Sequence, residues 1–213
     1  MRYNQKRVEE IFKILKHDYG LVHTFLDHKS PFQLLIAVIL SAQCTDERVN
    51  KESPKLFKLY PTAKELSEAR IEDVKGCIKS INFFNNKSIN IVKTAKLIHY
   101  QFQDRVPEDL EQLIKLPGVG KKTANVILGQ IYGKPAITVD THVNRLSSRL
   151  GFSKEKDANK KEKILQRKWP KDLWTDLSSL LIIHGRKVCT ARKPNCSDCK
   201  LNHLCKFIDN KDK

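Results

Sequence analysis

Leu116-Pro117-Gly118-Val119-Gly120-Lys121-Lys122-Thr123-Ala124 is a turn with two glycines between two helical patterns. Downstream of it, Ala124, Ile127 or Leu128, and Ile131 recur at helical spacing. Pro117 is expected to end the first helix, because proline lacks an N–H and restricts the residue before it. Gly118 and Gly120 permit positive φ and close backbone approach, so the amides entering the second helix can point together at an anion. A ligand-free αα-hairpin would use the same residues. Lys121 and Lys122 favour the anion, and so does the whole chain: 40 Lys and Arg against 24 Asp and Glu leave a net charge of +16 in 213 residues. An excess of that size attracts polyanions over a Debye length, and nucleic acid heads the list.

Helical spacing continues on both sides, in Ile91, Ala95, Ile98 and Phe102, in Val143, Leu146 and Leu150, and in Trp174, Leu177, Leu181 and His184. Start signals agree: Thr62 and Glu65 stand in capping-box register, Pro107 precedes an acidic turn, and Asp172 precedes a tryptophan-bearing helix. The β-like run Ala136-Ile137-Thr138-Val139 is too short and isolated for a sheet and reads as a loop. An all-α protein is therefore expected. The charged stretch Lys154 to Lys163 reads as a solvated helix start and its approach. Leu34 to Leu40, with Phe32 before it, is the longest apolar run and is too short to span a bilayer, and no signal pattern opens the chain. A soluble, intracellular protein with no membrane partner is the expectation.

Cys189, Cys196, Cys199 and Cys205 follow a C-x6-C-x2-C-x5-C spacing. Four thiolates close a soft-metal site and leave no position open for substrate, so the metal is expected to be structural. Spacing alone leaves zinc and iron–sulfur both open, since only Cys196 and Cys199 form a C-x2-C bite. Cys44 and Cys77 read as buried or disulfide-bonded cysteines outside this site. Around the four cysteines, Arg186, Lys187, Arg192, Lys193, Lys200 and Lys206 face one acid, Asp198. That pattern suggests a metal-braced basic loop held against a phosphate backbone. Clustered cysteines also suit a reducing compartment.

L-P-G-V-G-K-K-T-A-N at 116–125, I-T-V-D-T-H-V-N-R at 137–145, and H-G-R-K-V-C at 184–189 with the four cysteines resemble the endonuclease III family over nearly the whole chain. The resemblance implies an all-α helix-hairpin-helix DNA glycosylase fold, with a six-helix barrel domain and an iron–sulfur cluster domain. Mapped here, the barrel takes residues 24–134 with the hairpin at about 108–127, and the cluster domain is discontinuous, 1–23 and 135–213. It implies a [4Fe-4S] cluster on Cys189, Cys196, Cys199 and Cys205, and a catalytic pair, Lys122 and Asp140. The implied partner is double-stranded DNA containing damaged bases or abasic sites, met by a monomer in the cytoplasm, on the nucleoid if the source is bacterial.

By the same resemblance the activity is base excision by a bifunctional enzyme, a DNA N-glycosylase for oxidised pyrimidines and an AP lyase. A nucleophile and a nearby anion suit it, because positive charge develops at C1′ as the base leaves. Lys122 would form an imine and Asp140 would stabilise charge, while also capping the helix that follows. Partial burial or cationic neighbours would favour a neutral lysine, and Asp140 would oppose it. A base inside a duplex is out of reach, so the nucleotide must be extruded. Gln43, in Leu40-Ser41-Ala42-Gln43-Cys44-Thr45-Asp46, would fill the vacated stack, and Phe83, in Ile81-Asn82-Phe83-Phe84-Asn85, would act as a wedge. Asn82 stands where the family usually has glycine, and at least one of Phe83 and Phe84 is expected in the core. His142, Gly118, Gly120, Lys121, Arg186, Arg192 and Lys193 complete the expected DNA contacts.

Two other readings share these features. A monofunctional glycosylase for mismatched adenine or thymine would keep the hairpin, the aspartate and the cluster, but the families in question generally lack the lysine, and the adenine enzymes extend beyond the point where this chain ends at Lys213. A non-catalytic DNA-binding scaffold would need neither Lys122 nor Asp140.

Overall fold

The computed structural model describes residues 5–21 and 24–207. The expected domain boundary at residue 23 and the end at Lys213 lie outside the described residues. Eleven α-helices are present among them: α1 Gln5–Tyr19, α2 Pro31–Ser41, α3 Asp46–Leu59, α4 Ala63–Glu68, α5 Ile71–Cys77, α6 Phe84–Phe102, α7 Leu110–Leu113, α8 Lys121–Tyr132, α9 Thr141–Arg149, α10 Ala158–Lys168 and α11 Trp174–Lys187. The chain is all-α, and 136–139 is a loop, as its isolation suggested. It divides into two compact units, Thr24–Lys134 and the pair Met1–His23 with Pro135–Lys213.

In the Thr24–Lys134 unit, α2 is the central element. Phe32 to Leu40 are all buried, and a helix apolar all round belongs in the middle of a bundle. Ser30 caps it by accepting from the Gln33 amide, with Pro31 at the first helical position, where its missing N–H costs nothing. Helices α3, α6 and α8 pack around α2, and α4 and α5 pack on α6. The capping box of α4 forms, with the Thr62 amide donating to Glu65 Oε2 at 3.0 Å. Cys77 is buried and Cys44 is half-buried against the same core, so the expectation holds fully for the first alone. The acidic turn after Pro107 becomes the Asp109 N-cap of α7.

The hairpin departs from expectation in two details. Helix α7 ends at Leu113, four residues before Pro117, and the chain reaches the glycines through tight i→i+3 bonds, Lys115 to Gln112, Leu116 to Leu113 and Val119 to Leu116. Pro117 thus lies inside the turn, because an α-helix carried that far would have needed the amide that proline lacks. Gly118 has φ +82°, but Gly120 is extended, φ −91° and ψ 174°. Only Gly118 needs the left-handed region.

The second unit gathers α1, α9, α10 and α11. Val8, Ile11 and Leu15 of α1 share a core with Val143 and Leu146 of α9, Leu165 and Trp169 near α10, Leu177 and Leu181 of α11, and Leu201. Arg7 donates to the carbonyls of Leu150 and Leu204, tying α1 to segments far away in sequence. The solvated reading of 154–163 fails at two positions, for Lys161 is wholly buried and Glu162 nearly so. The Lys161 ammonium donates to Asn144 O, Asn144 Oδ1 and Ser148 Oγ at 2.8, 2.5 and 2.8 Å, and those bonds explain why a cation is tolerated there.

Candidate functional site

The glycine turn is built so that its backbone is held from behind. The Thr94 hydroxyl, fully buried on α6, donates to Pro117 O at 2.9 Å. A Cβ on Gly118 would sit 3.0 Å from Ile39 Cγ2 and 3.3 Å from Asn90, on top of a positive φ, so the turn packs directly on α2 and α6. A Cβ on Gly120 would meet no protein atom within 4 Å. Gly120 is the N-cap of α8 and brings no side chain to cap it. Lys122, on the first turn of α8, is exposed, whereas Lys121 is half-buried. Of the two expected influences on Lys122, partial burial or cationic neighbours, the first is not supplied by the protein.

Asp140 is the N-cap of α9, and its Oδ1 accepts from the Val143 amide at 2.7 Å. Such a cap contributes about 1 kcal/mol and fixes the carboxylate's direction. Next to it, His142 is half-buried, with Arg145 Nη2 3.2 Å from its Nδ1. Burial pushes the His142 imidazole down, Asp140 pulls it up, and Arg145 and Arg186 push it further down. Its ring is held by the protein rather than presented as a surface cation.

Gln43 and Phe83 are both exposed, and both have left-handed backbone, φ 53° and 59°. Phe83 is 61% exposed, while Phe84 packs partly against the core, so the two phenylalanines divide as expected. Arg186, Arg192 and Lys193 are exposed. The expectation that the basic residues near the cysteines face Asp198 alone is corrected at Lys200, which pairs with Asp18 of α1 at 2.6 Å. Asp18 comes from so far back in sequence that no local reading could have found it.

The four cysteines are free thiols in one neighbourhood. Burial pushes the Cys199 thiol up, the Leu201 amide offsets this, and the Cys189, Cys205 and Cys196 sulfurs push it up again. Among the described residues, no three His, Cys, Asp or Glu side chains converge as ligands of one ion. A cubane does not ask for that convergence, since each cysteine binds a different iron. The surroundings suit thiolates. Arg149 Nη1 donates to Cys189 Sγ at 3.1 Å and also to Thr190 O, and Arg145 donates twice to Cys189 O. His184, its pKa lowered to about 4 by burial, lies 3.4 Å from Cys199 Sγ through Nε2 and 2.9 Å from the Tyr19 hydroxyl through Nδ1. A neutral imidazole that accepts from Tyr19 at Nδ1 has its proton on Nε2, pointing at the sulfur. Helical spacing and the H-G-R-K-V-C motif both include His184, but neither assigns it a partner; its contacts with Tyr19 and Cys199 come from the fold.

Residues 36–171 match the model of the HhH-GPD superfamily base excision DNA repair proteins, and residues 189–205 match the iron-sulfur binding domain of endonuclease III. The chain is 47% identical to endonuclease III of Synechocystis over 96% of its length and 94% of that protein. It is 44% identical to the Bacillus subtilis enzyme, over 99% of its own length and 96% of that protein. Its structure is similar to that of a trapped endonuclease III–DNA covalent intermediate, with a TM-score of 0.90, 38% identity and 99% of each chain covered. A thermostable thymine-DNA glycosylase, 21% identical with a TM-score of 0.82 over 96% of this chain and 98% of that one, shares the fold. The four-cysteine segment therefore holds a [4Fe-4S] cluster, and the chain belongs to the endonuclease III family of HhH-GPD base excision repair enzymes.

Proposed function

We propose that Lys122 is the nucleophile and Asp140 the charge-stabilising carboxylate of a bifunctional DNA glycosylase and AP lyase acting on oxidised pyrimidines. The chain is a base excision repair enzyme and its partner is DNA. The observation that carries the assignment of the lysine is its exposed place on the first turn of α8, directly behind a glycine turn whose outer side has room for a phosphate. The covalent intermediate named for the related endonuclease III–DNA structure supports a route through a protein nucleophile.

The steps follow from these groups. Phosphates on either side of the extruded nucleotide meet the amides at the start of α8, which Gly120 leaves without a side-chain cap. Gln43 and Phe83 occupy the gap in the stack. The Lys122 amine forms a bond to C1′ as the C1′–N bond breaks, and the base leaves with that electron pair and gains a proton. Asp140, held by its cap through Oδ1, stabilises the positive charge at C1′ with its carboxylate. Loss of the amine proton and opening of the sugar ring give an imine. The imine acidifies the C2′ proton, whose removal expels the 3′ phosphate, and water then releases Lys122. Within this reading, Thr24–Lys134 is the barrel domain and the other unit is the cluster domain, where four thiolates fix the loop carrying Arg192 and Lys193 for the phosphate backbone. No described helix is long and apolar enough to cross a membrane, and we place the enzyme in the cytoplasm on its DNA substrate, working as a monomer.

Borohydride trapping tests the assignment. Incubation with duplex carrying one oxidised pyrimidine should yield a covalent adduct that peptide mapping locates at Lys122. Lys122→Gln should lose trapping and strand cleavage while keeping duplex binding. An adduct on Lys121 or on the N-terminal amine would refute the role of Lys122, whatever becomes of the fold.

A further inference from the structure

Four residues described here with positive φ are not glycine, and two of them, Gln43 and Phe83, are the residues read above as duplex probes. Strained backbone of this kind persists only where the surroundings over-determine it. The surroundings in this case are the two loops themselves. Asn82 Nδ2 donates to Gln43 O at 2.8 Å. One turn into α6, Lys87 donates to Leu40 O and Ala42 O, both at 2.7 Å, and so holds the carbonyls just before Gln43. In the other direction, Arg48 Nη1 donates to Ser80 O at 3.0 Å. Four hydrogen bonds thus join 40–48 to 80–87. Three of them fall on backbone carbonyls within three residues of Gln43.

The two donors nearest Gln43, Lys87 and Asn82, have different standing. Lys87 is 6% exposed, and its ammonium takes the place of the amides that would have continued α2, so it belongs to the framework. Asn82 is exposed and sits directly between the framework and Phe83. We propose that Asn82 is a positioning residue that couples Gln43 to Phe83 through its hydrogen bond to the Gln43 carbonyl, so that the two probes engage a duplex as one body. A shift of the Phe83 loop then drags the Gln43 backbone with it, and half-insertion, with one probe seated and the other out, is disfavoured. This inference rests on the reading of Gln43 and Phe83 as the groups that fill the vacated stack.

The test is a set of single-turnover rates of base release with the cluster-loaded enzyme. Each variant is measured on a lesion paired with its normal partner and on the same lesion opposite a mismatch that already unstacks it. Gln43→Ala, Phe83→Ala and the double variant are compared in the native background and in Asn82→Asp, which keeps the shape but removes the donor. Asn82→Ala serves as a second background, free of added charge. We expect the double variant on paired substrate to lose about tenfold less than the product of the single losses when Asn82 is present, and to lose that product when it is not, since coupled groups are not additive. Losses that multiply in all backgrounds, or uncoupling by the aspartate but not by the alanine, would overturn the proposal while leaving both residues as probes. If neither single variant changes the ratio between paired and mismatched substrates, the reading of the loops fails and the coupling falls with it. A residue that only supported the fold would lower both rates and the melting temperature together, without restoring additivity.

Discussion

Gly185 of α11 and His142 of α9 are in such close contact that a Cβ on the glycine would lie 2.9 Å from the imidazole Nδ1 and 3.1 Å from Arg145 Nη2. The glycine in H-G-R is thus explained by packing between two helices, not by backbone freedom. Arg145 also donates to Gly185 O at 2.8 Å, so the same spot locks the helix that Asp140 caps. Gly185→Ala is expected to destabilise the protein by about 1–3 kcal/mol, the usual cost of overpacking. It should also slow base release more than it weakens duplex binding, and thermal melting with single-turnover kinetics would check both.

The His142 imidazole gives a pH dependence with a definite sign. Its folded value is lowered from 6.5, chiefly by burial, with Arg145 and Arg186 adding to the shift and Asp140 opposing it. Between the lowered value and 6.5 the unfolded chain binds more protons than the folded one, so stability rises with pH across that window. It is complete above about pH 6.5 and is lost as pH falls below it. Denaturant midpoints measured from pH 7 downward should fall less steeply for His142→Gln than for the native protein. Parallel curves would show that this ring contributes nothing to the acid limb.

Metal removal should be felt first in the loop. Of residues 190–204, Leu201 alone is buried, so this stretch has almost no apolar core of its own. Cys199→Ser is expected to lose the cluster's iron and visible colour and to become protease-sensitive within that stretch, because binding free energy is here folding free energy. Elemental analysis that finds one zinc and no iron in the native protein would overturn the cluster assignment.

Binding of undamaged duplex should weaken steeply with salt, with a log–log slope set by roughly five or more phosphates at about 0.9 per phosphate. Arg192→Gln together with Lys193→Gln should flatten it. A slope left unchanged by both would place the DNA face elsewhere on the basic surface.

Local features were legible in the sequence, and long-range ones were not. Helical spacing found α6, α8, α9 and α11, and the Thr62–Glu65 box and the Asp140 cap follow from chemistry within four residues. The early end of α7 was hidden because Pro117 marks only the last position at which a helix must stop. The burial of Lys161 was hidden because its partners, Asn144 and Ser148, lie on another helix. The Lys200–Asp18 pair and the Tyr19–His184–Cys199 chain join α1 to the C-terminal region, and no periodicity carries that information. The partner of Asn82, a backbone carbonyl at Gln43, has no sequence signature at all.

The discontinuity of the second unit has a consequence for synthesis. Helix α1 is translated before the rest of its unit, and its core partners Leu177, Leu181 and Leu201 follow more than 150 residues later. At ordinary elongation rates that delay is on the order of ten seconds. During it Val8, Ile11 and Leu15 have no core to enter, while residues 24–134 already hold all that their own core requires. The nascent chain therefore carries a sticky amphipathic helix ahead of a finished bundle. On the proposed ligation by four thiolates, the cluster can be completed only after Cys205 has emerged, so its assembly comes late in the order in which this unit is made.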